Sequence, residues 1–229
     1  MILPDYRYIR NDIAEITIGL PLYHSILTAI AMGDGKTHSV YKRAKVSEEV
    51  GQKAVMALVE SGVIKVIKAK NSDDRLQFKT PFMRFWFAFI SPLFKGVRDG
   101  DFSEVKKRWE NRESEFIQQT FTELSKELVR ESLTGERVMN ISSYYDEDIE
   151  IDIYTKTKSG KVIVGSAKYT NAKVKKSELA RLEELCKKAN IEADIFVIVA
   201  KKGFSNELKS LKGEKLKLFT LKNFKSLVE

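Results

Sequence analysis

The chain has 229 residues, 43% of them hydrophobic and 31% charged, which is the composition of a folded globular protein rather than a disordered one. No apolar run reaches the roughly 18 residues that a bilayer crossing requires, and the N-terminal residues lack the order of a signal peptide, so we expect no membrane segment and a cytoplasmic location. The single cysteine, Cys186, excludes an intramolecular disulfide and fits a reducing compartment.

The net charge of +8 is unevenly distributed along the chain. Residues 155–229 carry a net charge of +10, whereas residues 101–154 carry −7. A basic C-terminal third beside an acidic centre suits a polyanion such as DNA, steered towards carboxylates that bind a cation. A well-solvated lysine-rich surface is the alternative, and charge alone does not separate the two.

Residues 1–79 predict a winged helix-turn-helix domain. Apolar residues keep helical spacing from Pro21 to the break at Gly33-Asp34-Gly35, a short second helix follows, and Ser47 is placed to cap a third. Two short strands joined by a polar turn, residues 63–69 and 75–79, then form the predicted wing.

The predicted third helix is ambiguous about DNA binding. It begins with Glu48 and Glu49, which disfavour contact with phosphates, and Gln52 and Lys53 are its plausible base readers. DNA contact and a structural or protein-contact role therefore both stay open for this domain. The basic residues available for DNA contact lie before the third helix, on it and on the wing: Lys42, Arg43, Lys45, Lys53, Lys68 and Lys70.

Two further patterns in this region do not indicate ligand sites. Gly35-Lys36-Thr37 lacks the preceding glycine of a phosphate-binding loop and follows a helix, so we predict a loop and no nucleotide. His24 and His38 are the only histidines and have no cysteine near them, which argues against a zinc site.

Residues 80–111 predict an aromatic-rich helical connector between two domains. Six aromatic residues fall within residues 80–96, a density that predicts a buried helix, with base stacking as the alternative. Residues 112–229 then alternate helix, hairpin, helix, strand, helix and strand, which predicts an α/β domain with a mixed central sheet flanked by helices. Residues 193–200 are apolar on both faces, as a central strand covered by helices must be.

The hairpin of residues 144–169 contains the candidate site. Asp148, Glu150 and Asp152 alternate with isoleucines, which predicts a strand with one acidic and one apolar face. A three-residue loop, Lys158-Ser159-Gly160, would make Thr157 face Lys161 and place Asp152 opposite Ser166, with Lys168 on the same face. A two-residue loop would send Lys168 to the other face, because a slip of one residue reverses every side chain.

An acid on one strand with a lysine diagonal to it on the next is similar to the centre of metal-dependent phosphodiesterases. In such centres carboxylates hold Mg²⁺, and the lysine stabilises charge on the attacking hydroxide or the phosphate. The alternative is a solvated hairpin whose charges are incidental.

The order of elements and five short motifs resemble a known family. The order, with Glu115 on the first long helix, resembles the restriction-endonuclease-like fold of the PD-(D/E)xK superfamily. More narrowly, about residues 20–210 resemble the winged helix and nuclease-like region that follows the ATPase module of archaeal-type ATPases. The matching motifs are Arg84-Phe85-Trp86-Phe87, Ser114-Glu115-Phe116, Glu150-Ile151-Asp152, Gly165-Ser166-Ala167-Lys168-Tyr169 and Ala200-Lys201-Lys202-Gly203-Phe204. The ATPase module is absent, so no nucleotide hydrolysis is implied.

The chain departs from the family at one position of the metal site. The family's second carboxylate, the Glu of its ExK motif, is replaced by Ser166, and a neutral hydroxyl is a weak ligand for Mg²⁺. Glu115 and Glu150 are the acids available to offset this loss, although Glu150 lies about 7 Å along the strand from Asp152. The resemblance therefore implies a degraded metal site.

Two hypotheses follow from these residues. In the first, the chain binds DNA and has weak or no nuclease activity, with Asp152 and Glu115 positioning one Mg²⁺, Lys168 stabilising charge and Ser166 contributing a hydrogen bond. Its basic DNA-contacting residues in the second domain would be Lys173, Lys175 and Lys176. In the second, the chain is a non-catalytic interaction module that acts with a separately encoded ATPase or another protein, such as a toxin–antitoxin-type partner.

Overall fold

A computed structural model of the chain describes residues 20–227 apart from 134, 136, 137 and 139. Residues 1–19 of the first predicted domain lie outside this part. Contacts between residues divide the chain into two compact units: Met1–Lys68 with Asp73–Asn111, and Ala69–Ser72 with Arg112–Glu229. None of the helices in the described part combines the length and the apolar composition needed to cross a bilayer.

The first unit contains three helices followed by a two-stranded antiparallel sheet, in the predicted order. Ser47 caps the third helix as predicted, since its Oγ accepts the N–H of Val50 at 3.4 Å. The elements are α1 (Pro21–Met32), α2 (Thr37–Ala44), α3 (Glu48–Glu60), β1 (Ile64–Ile67) and β2 (Arg75–Phe78).

The aromatic run after β2 is helical and largely buried. It forms α4 (Pro81–Phe85), a π-helix (Trp86–Ile90), a 3-10 turn (Ser91–Leu93) and α5 (Phe94–Arg98). Trp86, Phe87 and Phe89 are at most 4% exposed. These three rings therefore form core and are not available for base stacking.

The second unit is built on a five-stranded mixed sheet in the order β3-β4-β5-β6-β7. β3, β4 and β5 are antiparallel neighbours, whereas β5, β6 and β7 run parallel. The predicted α/β class with a mixed sheet flanked by helices is therefore confirmed. The elements are α6 (Ser103–Ser132), whose first part belongs to the first unit, β3 (Ser142–Asp146), β4 (Ile149–Lys156), β5 (Val162–Lys168), α7 (Lys176–Ala189), β6 (Ile195–Ala200), α8 (Asn206–Ser210), β7 (Leu216–Thr220) and a 3-10 helix (Leu221–Leu227).

The two faces of the sheet are covered by different helices. On one face, Val164 and Ile198 pack with Leu182 of α7. On the other, Ile163 and Val197 pack with apolar residues of α6. Burial on both faces explains why β6 and the first part of β5, residues 162–165, are apolar, and it leaves polar chemistry to the ends of the strands.

Candidate functional site

The β4–β5 hairpin has the predicted loop and register. The pairs run from Lys156↔Val162 to Ile153↔Gly165, and the N–H of Thr157 donates to the carbonyl of Lys161 at 2.9 Å. Gly160 has a φ of +89°, the left-handed conformation that the loop requires and glycine adopts freely. The three-residue loop is therefore confirmed.

The strict alternation predicted for residues 148–153 is wrong at the candidate site. Asp148 lies in a turn before β4, and the register between β3 and β4 shifts so that Asp152 and Ile153 both lie opposite Ser143. Such a β-bulge reverses the alternation along the strand. Ile151 consequently packs with the buried residues on the α7 face of the sheet, and Ile153 packs with those on the opposite, α6 face.

The bulge also changes the partner of Asp152. Its Oδ2 accepts the main-chain N–H of Ala167 at 2.9 Å, just beyond the last β4–β5 pair. The Oγ of Ser143 donates to the carbonyl of Asp152 at 2.9 Å. The Asp152 carboxylate is thus held against the segment of β5 that carries Ser166 and Lys168.

A carboxylate from α7 occupies the surroundings of Ser166. Ser166 is fully buried, and its Oγ donates to Oε1 of Glu178 at 2.7 Å. The Nζ of Lys168 lies 3.4 Å from the same oxygen. Glu178 lies in the first turn of α7, where the helix dipole favours a negative charge. α7 therefore supplies an acid beside the position where the strand has a serine.

Arg181 is a second cation at this carboxylate. Its Nη2 and Nε lie 2.7 and 3.0 Å from Oε1 of Glu178. Burial acts to raise the pKa of Glu178, but hydrogen bonds from Arg181 and Ser166 and the charges of Lys168 and Arg181 outweigh it, so the pKa is lowered. Glu178 is consequently ionised at neutral pH. Its bond to Arg181 raises the pKa of the guanidinium, and the charges of Asp152 and Glu150 act in the same direction.

The predicted Glu115 has a different neighbourhood. Its side chain is 60% exposed, and both carboxylate oxygens accept from Nη2 of Arg112, three residues earlier on α6. A different residue of α6, Gln118, hydrogen-bonds to the end of β5. Its Nε2 donates to the carbonyl of Ala167 at 2.8 Å, and its Oε1 accepts the N–H of Tyr169 at 3.0 Å.

Two basic loops lie at the end of β5 and β6 next to this site. The loop after β5 contains the exposed Lys173, Lys175 and Lys176, although Lys176 already begins α7. The N–H of Val174 in that loop donates to the carbonyl of Gly203 in the loop after β6, at 2.9 Å. Carboxyl ends of parallel strands meet at one edge of a sheet, so these lysines and the carboxylates share an edge.

The cations predicted to bind DNA in the first unit are exposed or paired with acids. Lys42, Arg43 and Lys45 are exposed. The other two cations of this group have partners, Glu49 at 2.7 Å for Lys53 and Asp74 at 2.6 Å for Lys68.

The sixth cation, Lys70, lies in the second unit. Its Nζ is 3.9 Å from Asp146.

The site offers few side chains that could act as ligands for a metal ion. Among the described residues, no three His, Cys, Asp or Glu side chains are grouped closely enough to hold a metal ion. Asp152 and Glu178 reach adjacent residues of β5, Ala167 and Ser166. Mg²⁺ is commonly bound by one or two carboxylates with retained waters and substrate phosphates, and Asp152 and Glu178 are donors of that kind.

Reasoning from the sequence missed Glu178, Arg181 and Gln118. Glu178 follows Ser166 by twelve residues, and its approach depends on how α7 packs against the sheet, which no local pattern reveals. A signal was available for Gln118, because it lies one helical turn after Glu115 on the same helix.

Comparisons with known proteins assign no activity to the chain. Residues 86–181, which include Asp152, Lys168 and Glu178, match the model of the family DUF234, described as "Archaea bacterial proteins of unknown function". No curated protein is similar enough to the chain to count as a match.

Two solved structures that can be superposed on the chain are only distantly similar to it. One is an assembly of Thermococcus gammatolerans McrB AAA+ hexamers with bound McrC, at 13% identity and a TM-score of 0.31, covering 90% of this chain and 51% of that chain. Another is human N-acetylserotonin methyltransferase in complex with SAM, at 10% identity and a TM-score of 0.23, covering 95% of this chain and 66% of that chain. This chain thus spans about half the length of the first, and TM-scores this low carry no argument about fold or function.

Proposed function

We propose that the chain is a nucleic-acid-associated protein whose second unit is a restriction-endonuclease-like domain with a reduced, weakly active metal site. The observation that carries this proposal is the contact of Glu178 with both Ser166 and Lys168, at 2.7 and 3.4 Å. It supplies the second carboxylate whose absence from β5 makes the site look degraded in the sequence.

Each residue of the site has a role in this proposal. Asp152 and Glu178 hold one Mg²⁺, with the Ala167 N–H fixing the Asp152 carboxylate and the Ser166 hydroxyl fixing Glu178. The bound ion would supply Lewis-acid polarisation of the phosphate and a more acidic water. Lys168 stabilises negative charge on the phosphate. Glu115 is replaced by Glu178 as the second metal-binding acid.

The surroundings of the site support a polyanionic substrate. Lys173 and Lys175 lie in the loop beside the carboxylates, and Lys176 begins α7 directly after it. That loop is tied to the next by two backbone hydrogen bonds of 2.9 Å, between Val174 and each of Gly203 and Ser205. Neutralising phosphates with lysines supplies most of non-specific DNA affinity. We call the edge of the sheet that carries these three lysines the basic edge. It would hold a DNA strand against the two acids.

Plasmid nicking with Mn²⁺ or Mg²⁺ tests this function, with an exchange of two residues as the decisive variant. We expect weak nicking by the wild type, none by Asp152→Asn or Glu178→Ser, and recovery in the double variant Ser166→Glu/Glu178→Ser, which returns the acid to the strand. Ser166 is fully buried, so its replacement by a glutamate could disturb folding. Thermal unfolding of each variant shows whether it is folded. Nicking that is equally strong in Glu178→Ser and the wild type would contradict the role of Glu178.

A second candidate role, contact with a partner protein such as a separately encoded ATPase, is favoured by the exposed side of α3. The possible base readers of this helix bond to neighbouring acids, Gln52 to Glu48 at 3.1 Å and Lys53 to Glu49 at 2.7 Å. Met56 is 62% exposed on the same helix. We propose that the first unit uses this face for protein contact. A loss of DNA affinity in Gln52→Ala/Lys53→Ala would contradict this role.

A further inference from the structure

β5, the strand that carries Lys168, extends beyond the last residue that pairs with its antiparallel neighbour β4. The pairing of β4 with β5 ends at Ile153↔Gly165, but β5 continues to Lys168. The main-chain groups that face the β4 side beyond Gly165 are bonded by side chains instead. One of these bonds is the one in which the carboxylate of Asp152 accepts the N–H of Ala167.

The amide of Gln118 bonds the next two groups on that side. Its Nε2 donates to the carbonyl of Ala167 at 2.8 Å, and its Oε1 accepts the N–H of Tyr169 at 3.0 Å. These are the donor and the acceptor that the N–H and C=O of one residue in a neighbouring parallel strand would present. Only one orientation of the amide satisfies both bonds, because a carbonyl cannot donate and an N–H cannot accept.

Lys168 lies between the two bonded groups. On the β6 side its own carbonyl accepts the N–H of Lys201 at 3.0 Å. Gln118 also donates to Oγ1 of Thr122, at 3.2 Å, which ties the amide to its own helix. The backbone around Lys168 is consequently held from both sides while its ammonium reaches towards Glu178 on α7.

We propose that Gln118 is a positioning residue for Lys168. By holding the carbonyl before Lys168 and the amide after it, Gln118 sets the direction in which the ammonium projects towards Glu178 and towards a bound phosphate. The chemical role of Lys168 in this inference rests on the proposed function, whereas the effect on its position does not. Groups that orient the ligands of a metal site typically change metal affinity or activity by about 10- to 100-fold when they are mutated, and we expect an effect of this order for the group that orients Lys168.

Three variants of the full chain test this role. Gln118→Leu removes both bonds to β5 at similar size, and Gln118→Glu retains an acceptor for the Tyr169 N–H. Gln119→Leu is the matched control, since the neighbouring glutamine points about 100° away around the helix. Each variant is assayed for plasmid nicking with Mn²⁺, for hydrogen exchange of the Tyr169 amide, and by NMR of ¹³C-labelled lysines with the Lys168 signal assigned through Lys168→Arg.

The expected result separates positioning from stability. In Gln118→Leu, kcat falls at least tenfold while KM for plasmid stays within twofold, the Lys168 signal shifts, and the Tyr169 amide exchanges faster. Gln118→Glu gives intermediate values, and Gln119→Leu matches the wild type. A Gln118→Leu protein that unfolds more easily but keeps the wild-type kcat and Lys168 signal overturns the inference. If the wild type does not nick DNA, the nuclease proposal fails, and the lysine spectrum and amide exchange alone decide the role of Gln118.

Discussion

At the scale of single residues, the site depends on one carboxylate that contacts three side chains. Oε1 of Glu178 accepts from Ser166 and from Arg181 and lies near Lys168. In the proposed site the second acid is thus carried by α7 rather than by the strand, and Ser166 is its hydrogen-bond donor.

The lowered pKa of Glu178 makes its contribution to stability dependent on pH. A carboxyl whose pKa is lower in the folded state stabilises the protein above its ordinary pKa, near 4.5, and this contribution disappears as the pH falls through the lowered value. We expect Glu178→Gln to lower the free energy of unfolding by about 1–3 kcal/mol at pH 7, because hydrogen bonds to a charged group are removed. Urea unfolding at several pH values should show this difference shrinking below pH 4.5. A difference that is constant from pH 7 to pH 3 would contradict the assignment.

Arg181 places a guanidinium where a metal ion would need the same carboxylate. Its contact with Glu178 is 2.7 Å, and its charge also interacts with Asp152. Removing this competing positive charge should strengthen metal binding, so we expect Arg181→Met to bind Mn²⁺ about three- to tenfold more tightly in calorimetric titrations. Lys188→Met is the control, because it breaks an exposed pair with Glu184 on the same helix. Equal Mn²⁺ affinity in the two variants would count against competition by Arg181.

At the scale of elements, the end of β5 is held by three different neighbours. β6 pairs with β5 along its length to Lys168, Asp152 bonds from the bulged β4, and Gln118 bonds from α6. The bulge is what frees this segment, because it directs β4 away after Ile153↔Gly165. The unpaired backbone beyond that point is where side chains of two elements meet Lys168.

Gly165, at the last β4–β5 pair, lacks a side chain and so allows β5 to pack closely against Val197 of β6 and Ile153 of β4. A Cβ at this position would lie 2.7 Å from the carbonyl oxygen of Val197 and 3.2 Å from Cβ of Ile153. Gly165→Ala should therefore destabilise the second unit by about 1–3 kcal/mol through overpacking, measured by urea unfolding. In the control Gly213→Ala the nearest atom to the new Cβ is 4.0 Å away, so we expect a change within about 0.5 kcal/mol. Equal free energies of unfolding for Gly165→Ala and Gly213→Ala would show that the strands around Gly165 move apart to accept the methyl group without loss of stability.

Local patterns predicted the elements and the hairpin because the relevant interactions lie within a few residues. The Ser47 cap and the Gly160 turn are local in this sense, and both predictions are confirmed. The bulge at Asp152 was missed, since an extra residue in one strand is defined by its partner strand. Glu178 and Gln118 were missed for the same reason, because each acts on β5 from a helix that packs on it. Glu178 is 12 residues from Ser166 in the sequence, and Gln118 is 49 residues from Ala167.

At the scale of the whole molecule, the distribution of charge separates two possible surfaces for DNA. The first unit offers Lys42, Arg43 and Lys45 near the start of α3, whose first turn contains Glu48 and Glu49. The second unit offers a cluster of three lysines in the loop after β5 and at the start of α7. Acids beside phosphates weaken binding, whereas the second cluster adjoins carboxylates that a cation would neutralise. We therefore expect DNA to bind mainly through the second unit.

Two matched triple variants decide between these surfaces, because each removes three positive charges. The salt dependence of duplex affinity measures how many phosphates the protein neutralises, at about 0.9 in the slope of log K against log[salt] for each phosphate. We expect Lys173→Ala/Lys175→Ala/Lys176→Ala to reduce the slope by about 2 to 3, and Lys42→Ala/Arg43→Ala/Lys45→Ala to reduce it by less than about 1. Fluorescence anisotropy with a labelled duplex between about 50 and 200 mM salt gives both slopes. The opposite ranking would move the DNA surface to the first unit and leave the basic edge beside Glu178 without a role in binding.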